Sequence, residues 1–486
     1  MPTSVLLARA TGKSVICLES GGAHQEAETH PLNEVVHLAS PYVGAATGRF
    51  RCLGGTSTRW GGALIPFQAA DLASDDWPLS LADLEPYLLD VESLFDLEPG
   101  PYCDTSFPFD LGKVHVNRLA KWPAFRKRNV VDLVGEDSRR LENLNIWLGA
   151  TVVEVRVGPN GEGVMLQARS LAGDRLRVSA SRLIIAAGAI ETTRLALLIN
   201  QQNRDAITTP SPRLGQYFSD HISMGIAEIK PRRLKALNKI IGFRFSDGGS
   251  MRNIRFELSG DAAARKQLPP CFMDVRFDLQ RAGGFDALRE IYRTIQKQQL
   301  PSFRSVCNLI GHLPWLMRAV WWRFVHRRLL FPEGSRLVAH TVIAQVPVAG
   351  NYIALSQTKR DPLGVPLAEI NWRISDADVD NLSSAARLFE ETWTGSELAN
   401  YGTWQQLPPG TSADTVQKPD AFLHPTGSTR MAWDAADGVV DRDLCLFSLP
   451  QIQLLSTSVL PTAGGTNPTM MVMLLALRCV DQHAKA

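Results

Sequence analysis

The block STSVLPTAGGTNPTMMVMLLALRC (Ser456–Cys479) constrains the fold more than any other stretch of this chain. It reads as a strand end, a glycine-rich turn and a helix. Gly464 and Gly465 allow backbone geometry and close approach that a β-carbon would obstruct. Asn467 is a favoured capping residue, and Pro468 suits the first helical position, where no amide donor is needed. Every residue from Met470 to Leu477 is apolar, so the helix is expected to be buried on all sides. Its amino end turns unpaired amides and a positive dipole toward whatever electron-rich group lies in front. Taken alone, a capped core helix explains the block equally well. Upstream lies a second short motif, HPTGSTRM (His424–Met431).

The amino-terminal end is the back half of a βαβ dinucleotide unit. Ser4–Ala10 reads as the tail of a helix, Gly12 as a turn, and Ser14–Leu18 as a buried strand ending at Glu19. An acidic residue at that place in such folds holds ribose hydroxyls, which makes Glu19 the candidate. The first strand and its G-x-G-x-x-G turn are not found, so the chain is expected to start inside that fingerprint. Cys52–Phe67 (CLGGTSTRWGGALIPF) carries two Gly-Gly pairs, Gly54–Gly55 and Gly61–Gly62, which mark backbone close to something flat or to another chain segment. Val152–Val157 and Val164–Arg169 alternate and read as a hairpin across Pro, Asn and Gly. Leu183–Ala187 then reads as a buried strand, Gly188 as a turn and Glu191 onward as a helix, a site where phosphate or adenine could lie.

At 486 residues two domains are expected. A net charge of +2 calls for no nucleic acid or other polyanion. Seven cysteines without a C-x-x-C argue against a disulfide framework or a zinc site, so no metal is expected. With no signal peptide and no membrane-length apolar run, the cytoplasm is the expected compartment. One stretch stands apart. Asn308–Phe331 interleaves Trp315, Trp321, Trp322 and Phe324 with Arg318, Arg323, Arg327 and Arg328. It reads either as a helix over the substrate domain or as a peripheral membrane contact.

Five motifs in order resemble those of the glucose–methanol–choline (GMC) oxidoreductases. SVICLESGG is similar to the family's second strand, GGTSTRWGG to its flavin-contacting loop and AAGAIETTRLALL to its second signature. RLGQYFSDHI (Arg213–Ile222) resembles the segment leading into the substrate domain, and HPTGSTRM with PTAGGTNPT the paired C-terminal motifs. The resemblance implies an α/β fold: an FAD-binding Rossmann-like domain from residues 1–70, 140–225 and 422–486, and a lid or connecting segment at 71–139. Residues 226–421 would form an α+β substrate domain on an antiparallel sheet.

It implies FAD contacts from Glu19, Gly54, Gly55, Ser57, Trp60, Gly61, Gly62, Gly188, Ser456, Thr457, Asn467, Pro468 and Thr469. Arg59 stands where some sugar-oxidising members carry a flavin-linking histidine, so the FAD is expected to be non-covalent. Ser456 replaces a usual acidic residue. The implied activity is oxidation of a primary or secondary alcohol, a sugar or polyol, to a carbonyl. His424 would take the hydroxyl proton, Asn467 would hold the oxygen, and flavin N5 would take the hydride. A dehydrogenase is expected over an oxidase, with the electron acceptor left open. His221, beside Asp220, is read as structural. The alternatives are a non-redox relative doing lyase chemistry and a flavin-free remnant acting as a scaffold or binding protein.

Overall fold

The structure, a computed structural model, describes residues 1–25, 29–105, 107–158, 162–278, 283–331, 335–407 and 423–485. Two large apolar cores organise it. In the first, Leu183–Ile185 runs parallel to Leu449–Leu454. Against these strands pack the helices Ala189–Gln202 and Thr469–Lys485, whose buried faces carry Ile199 and Met470, Met471, Leu474 and Leu475. The expected hairpin forms from Thr151–Val157 and Val164–Arg169 and gains a third strand, Arg175–Ala180. Its tip, 159–161, lies outside the described residues.

The terminal helix is less enclosed than its composition implied. Val472, Met473 and Leu477 are only partly buried, because Met473 and Leu477 pack on the margin of the core. The opening helix, Pro2–Thr11, stops at Gly12, whose φ of 65° is the left-handed conformation glycine adopts without cost. The strand that follows, Val15–Leu18, pairs in parallel with Leu144–Trp147. It was expected to be buried, yet Ile16 is 43% exposed. The reason is topological: these two strands form a sheet of their own, covered on one face by Val5, Ala8 and Val134.

The second core lies under a seven-stranded sheet. Five strands run in the order Met251–Leu258, Cys271–Asp278, Arg336–Ala344, His221–Pro231 and Gly402–Gln406, with antiparallel pairing throughout. His115–Trp122, within the segment 71–139 expected as a lid or connecting segment, also pairs with Met251–Leu258. Period-two alternation sorts the faces. Ile254, Phe256, Met273, Ala339, Ile343, Ile222 and Met224 enter the core, where the helix Asp376–Gly395 brings Leu382, Ala385 and Phe389. The opposite face carries Arg255, Glu257, Asp274, His340 and His221, all buried or strongly desolvated. Within 226–421, Tyr352–Arg360 and Pro366–Asn371 pair outside this sheet, the latter beside Val35–His37. The boundary expected at residues 421 and 422 lies outside the described residues.

Candidate active site

His424 and Asn467, separated by forty-three positions, are brought together: Asn467 Nδ2 lies 3.3 Å from His424 Nε2. Asn467 leaves the glycine turn just before the terminal helix, and its amide is committed outward rather than to that helix. Gly464 makes this turn possible. Its φ is 68°, and a β-carbon there would lie 2.4 Å from the Phe67 ring. Arg255, fully enclosed on the polar face of the large sheet, donates to Thr466 Oγ1 at 2.6 Å and to Asn467 Oδ1 at 2.8 Å.

The hydrogen-bond roles around His424 follow from what each partner can do. A guanidinium only donates, so Asn467 shows Arg255 its oxygen and shows His424 its NH2. On the far side, His221 Nε2 lies 2.9 Å from the carbonyl oxygen of Gly464, which only accepts, so that nitrogen carries the proton. His221 Nδ1 is then the acceptor for His424 Nδ1, 3.1 Å away, and His424 donates there. His424 Nε2 is left with its lone pair directed at Asn467. The whole line is consistent with neutral rings, as the electrostatics require. Burial, then His221 and Arg255, hold the His424 pKa well below the ordinary 6.5. Burial and Arg255 bring His221 to about 4, against the opposing pull of the Gly464 carbonyl.

Asp220 fixes both histidines through their backbones. Its Oδ1 accepts the amide of His221 at 2.6 Å and of His424 at 2.7 Å, and its Oδ2 accepts Tyr42 Oη–H at 2.5 Å. Burial raises its pKa to about 6, opposed by those three donors. From sequence His221, beside Asp220, was expected to be structural, and neither Tyr42 nor Arg255 was singled out. A signal existed for Arg255: Asn253, Arg255 and Glu257 alternate with Ile254, Phe256 and Leu258, the pattern of a strand with one polar and one apolar face.

The remaining candidates divide. Glu19 ends its strand as expected, with Oε1 accepting the Gly21 amide at 2.8 Å. Burial raises its pKa, while the Gly21 amide and Arg51 work to lower it. Arg51 joins Ser20 at 2.8 Å to Glu191 at 2.8 Å, so the Glu19 strand end, the glycine loop and the helix after Gly188 meet. Gly188, at φ 76°, has nothing within 4 Å of where a β-carbon would stand, so it faces an opening. Leu455 N donates to Ile185 O at 2.8 Å, which sets Ser456 and Thr457 beside that glycine's strand. Pro468 is buried and Thr469 partly so, at the start of the terminal helix.

The glycine loop is held mainly by protein. A β-carbon on Gly54 would lie 2.6 Å from Asn129 Oδ1, one on Gly61 3.0 Å from Trp122, and one on Gly62 3.2 Å from Arg128. Gly55, at φ 53°, serves the turn itself. Ser57 Oγ accepts the Val130 amide at 3.0 Å, and Trp60 Nε1 donates to Arg128 O at 2.7 Å. Ser456 Oγ pairs with Ser458 Oγ at 2.7 Å, and Thr457 Oγ1 donates to Pro425 O at 2.5 Å.

With this geometry in view, the comparisons are specific. A profile of GMC oxidoreductases matches residues 347–476, a span that includes His424 and Asn467. The matched residues, 347–476, belong to the GMC oxidoreductase family. The 2-methyl-1,2-propanediol dehydrogenase of Mycolicibacterium austroafricanum is 21% identical over 343 residues, covering 68% of this chain and 50% of that protein. The fructose dehydrogenase large subunit of Gluconobacter japonicus is 23% identical over 312 residues, covering 63% and 47%. The chain thus spans about half the length of these curated relatives. The crystal structure of pyridoxine 4-oxidase from Mesorbium loti superposes with a TM-score of 0.58 at 14% identity, covering 100% of this chain and 97% of that one. That likeness shows the fold, an α/β GMC fold with an antiparallel sheet beside the nucleotide-type layer.

The match to GMC oxidoreductases implies FAD as cofactor. The half-buried Glu19 carboxyl at a strand end and the open space at Gly188 are groups that could hold the ribose side of such a ligand. The convergence of His424 and Asn467 fits its reactive side.

Proposed function

We propose that this GMC oxidoreductase oxidises a primary or secondary alcohol of a sugar or polyol, with His424 as the base and non-covalent FAD as the cofactor. The observation that carries the reading is the directed line from Arg255 through Asn467, His424 and His221 to Gly464, which leaves the His424 Nε2 lone pair facing an amide donor. When bound, FAD supplies the hydride acceptor.

An alcohol oxygen set between Asn467 and His424 would donate its proton to Nε2 and accept from the Asn467 NH2. Both groups already present the required polarity, so no side chain has to turn over. His424 can take that proton while keeping its Nδ1–H bond to His221. As negative charge gathers on the substrate oxygen, the Asn467 amide strengthens its bond to it. Arg255 holds that amide in place. The depressed His424 pKa keeps the ring unprotonated and ready to accept a proton at neutral pH.

The sugar or polyol class is supported by the polar face of the large sheet, on which Arg255, in contact with Asn467, lies near the charges of Glu257 and Asp274. The relatives named for 2-methyl-1,2-propanediol and fructose act on molecules of this kind, and both are dehydrogenases, which favours an acceptor other than oxygen. Non-covalent binding is supported at position 59 by arginine, whose guanidinium bonds Gln25 Oε1 at 2.9 Å. All seven cysteines are unpaired, which suits a reducing cytoplasm.

Anaerobic mixing of the flavin-loaded protein with a panel of sugars and polyols tests the reading. Bleaching of the flavin absorbance by at least one of them is expected. A flavin that none of the alcohols reduces, even over hours, would sink the proposal.

A further inference from the structure

The helices Phe303–Gly311 and Leu313–His326 present an apolar face to solvent. Phe303 is 84% exposed, Ile310 63%, Met317 65%, Trp321 64% and Phe324 71%, and Leu300, in the turn before them, is 93% exposed. The spacing is helical: 303, 306 and 310 on one helix, then 313, 317, 320, 321 and 324 on the next. Scattered single apolar residues on a surface need no explanation, but a contiguous face of this kind does. The inner faces are anchored, with Trp322 buried and Arg323 stacked 3.9 Å over the Phe245 ring, so the helices are held on the body of the protein.

Charge identifies what the face meets. From residue 291 to 332 there are seven arginines and lysines and neither Asp nor Glu, in a chain whose total is only +2. Arg293, Arg304, Arg318 and Arg327 are exposed around the apolar residues, Arg327 with Asp247 at 3.0 Å. A second copy of the chain would bring the same cations against these, which disfavours a two-fold contact. An anionic lipid surface satisfies both features, taking the aromatic and aliphatic tips among its acyl chains and the arginines at its headgroups. Fourteen residues of helix span about 21 Å, short of the roughly 30 Å hydrocarbon layer. No described helix is long and apolar enough to cross a membrane. The helices would therefore lie along the surface.

We infer that the face formed by residues 300–326 docks the enzyme peripherally on an anionic lipid bilayer. The turn Lys297–Gln299 that leads into it lines a small pocket with Cys52, Leu53, Thr58 and Arg59, so the docking face adjoins the glycine loop.

The test is co-sedimentation of the full chain with vesicles, one set of phosphatidylcholine with phosphatidylglycerol and one of phosphatidylcholine alone. Binding to the anionic set is expected, weakened by added salt and much lower for the neutral set. The double variant Trp321→Glu/Phe324→Glu should lose at least about tenfold in partitioning, since two exposed rings no longer enter the membrane. It should keep the wild-type melting temperature. Arg304→Glu gives a second, purely electrostatic arm and should weaken binding to anionic vesicles alone. The inference is overturned if wild type fails to sediment with anionic vesicles, or if the variants bind as well as wild type. It is equally overturned if light scattering shows a wild-type dimer that the double variant converts to monomer.

Discussion

The backbone amide of His424 donates to Asp220 Oδ1 at 2.7 Å, which docks the segment carrying the candidate base onto the strand carrying its neighbour, His221. Two distant pieces of sequence are thereby held in register by one buried carboxyl, and the imidazole contact between them is a consequence of that register.

If His221 serves to hold His424 in the Nδ1–H form, His221→Phe should retain the fold and lose kcat. A lost hydrogen bond of about 1–1.5 kcal/mol corresponds to roughly a tenfold fall, with KM little changed. Because His221 also helps to depress the His424 pKa, the acid limb of the kcat profile should move to higher pH. A stability loss without either kinetic change would leave His221 as packing.

Arg255 makes a related prediction. Protonated His424 cannot take a proton, so activity is lost as pH falls through its pKa, which is held below 6.5 by burial, His221 and Arg255. Arg255→Met removes one of those causes and should shift the acid limb upward, while freeing the Asn467 amide to rotate. The kcat profile of the variant decides it, and an unmoved limb counts against the assignment.

Glu191 tests the seam between the Glu19 strand end and the site. Burial works to raise its pKa, but Arg51, Arg194 and Arg49 outweigh this and bring it to about 2 from the ordinary 4.5. The folded value is the lower one, so the ionised group's stabilisation is complete above about pH 4.5 and is lost as pH falls toward 2. Glu191→Gln leaves Arg51 and Arg49 without their anion, while Arg194 keeps Asp361, and should cost about 3 kcal/mol in denaturant unfolding at pH 7. The gap between variant and wild type should narrow in acid.

Gly464→Ala should be among the costlier glycine replacements. It combines a φ of 68° with a β-carbon 2.4 Å from the Phe67 ring, and the cost is about 1–3 kcal/mol or more. It should also lower kcat, since Gly464 O receives His221 and the turn sets Asn467. Thermal melts and turnover on the same sample check both parts.

How much of this was legible in sequence depends on what each residue answers to. Gly464 and Gly188 were readable because turn chemistry is local, whereas His424 and Asn467 were paired only by the resemblance of their motifs. The hairpin at Thr151–Arg169 was readable because alternation is local too. Arg255 and Asp220 act through partners more than two hundred positions away, and nothing adjacent to them announces those partners. The glycines at 54, 61 and 62 were correctly read as points of close approach, but sequence could not say to what. Much of the answer is Asn129, Trp122 and Arg128. Ile16 failed for a different reason: a strand's composition does not record how many neighbours it will have.

The most direct test of the account is the rate of flavin reduction, measured by anaerobic stopped flow, in wild type and His424→Ala with the same reducing alcohol. The account predicts that the variant retains bound flavin and is reduced on the order of a hundredfold more slowly, or worse, the scale of a lost general base. Equal rates in the two proteins would contradict it.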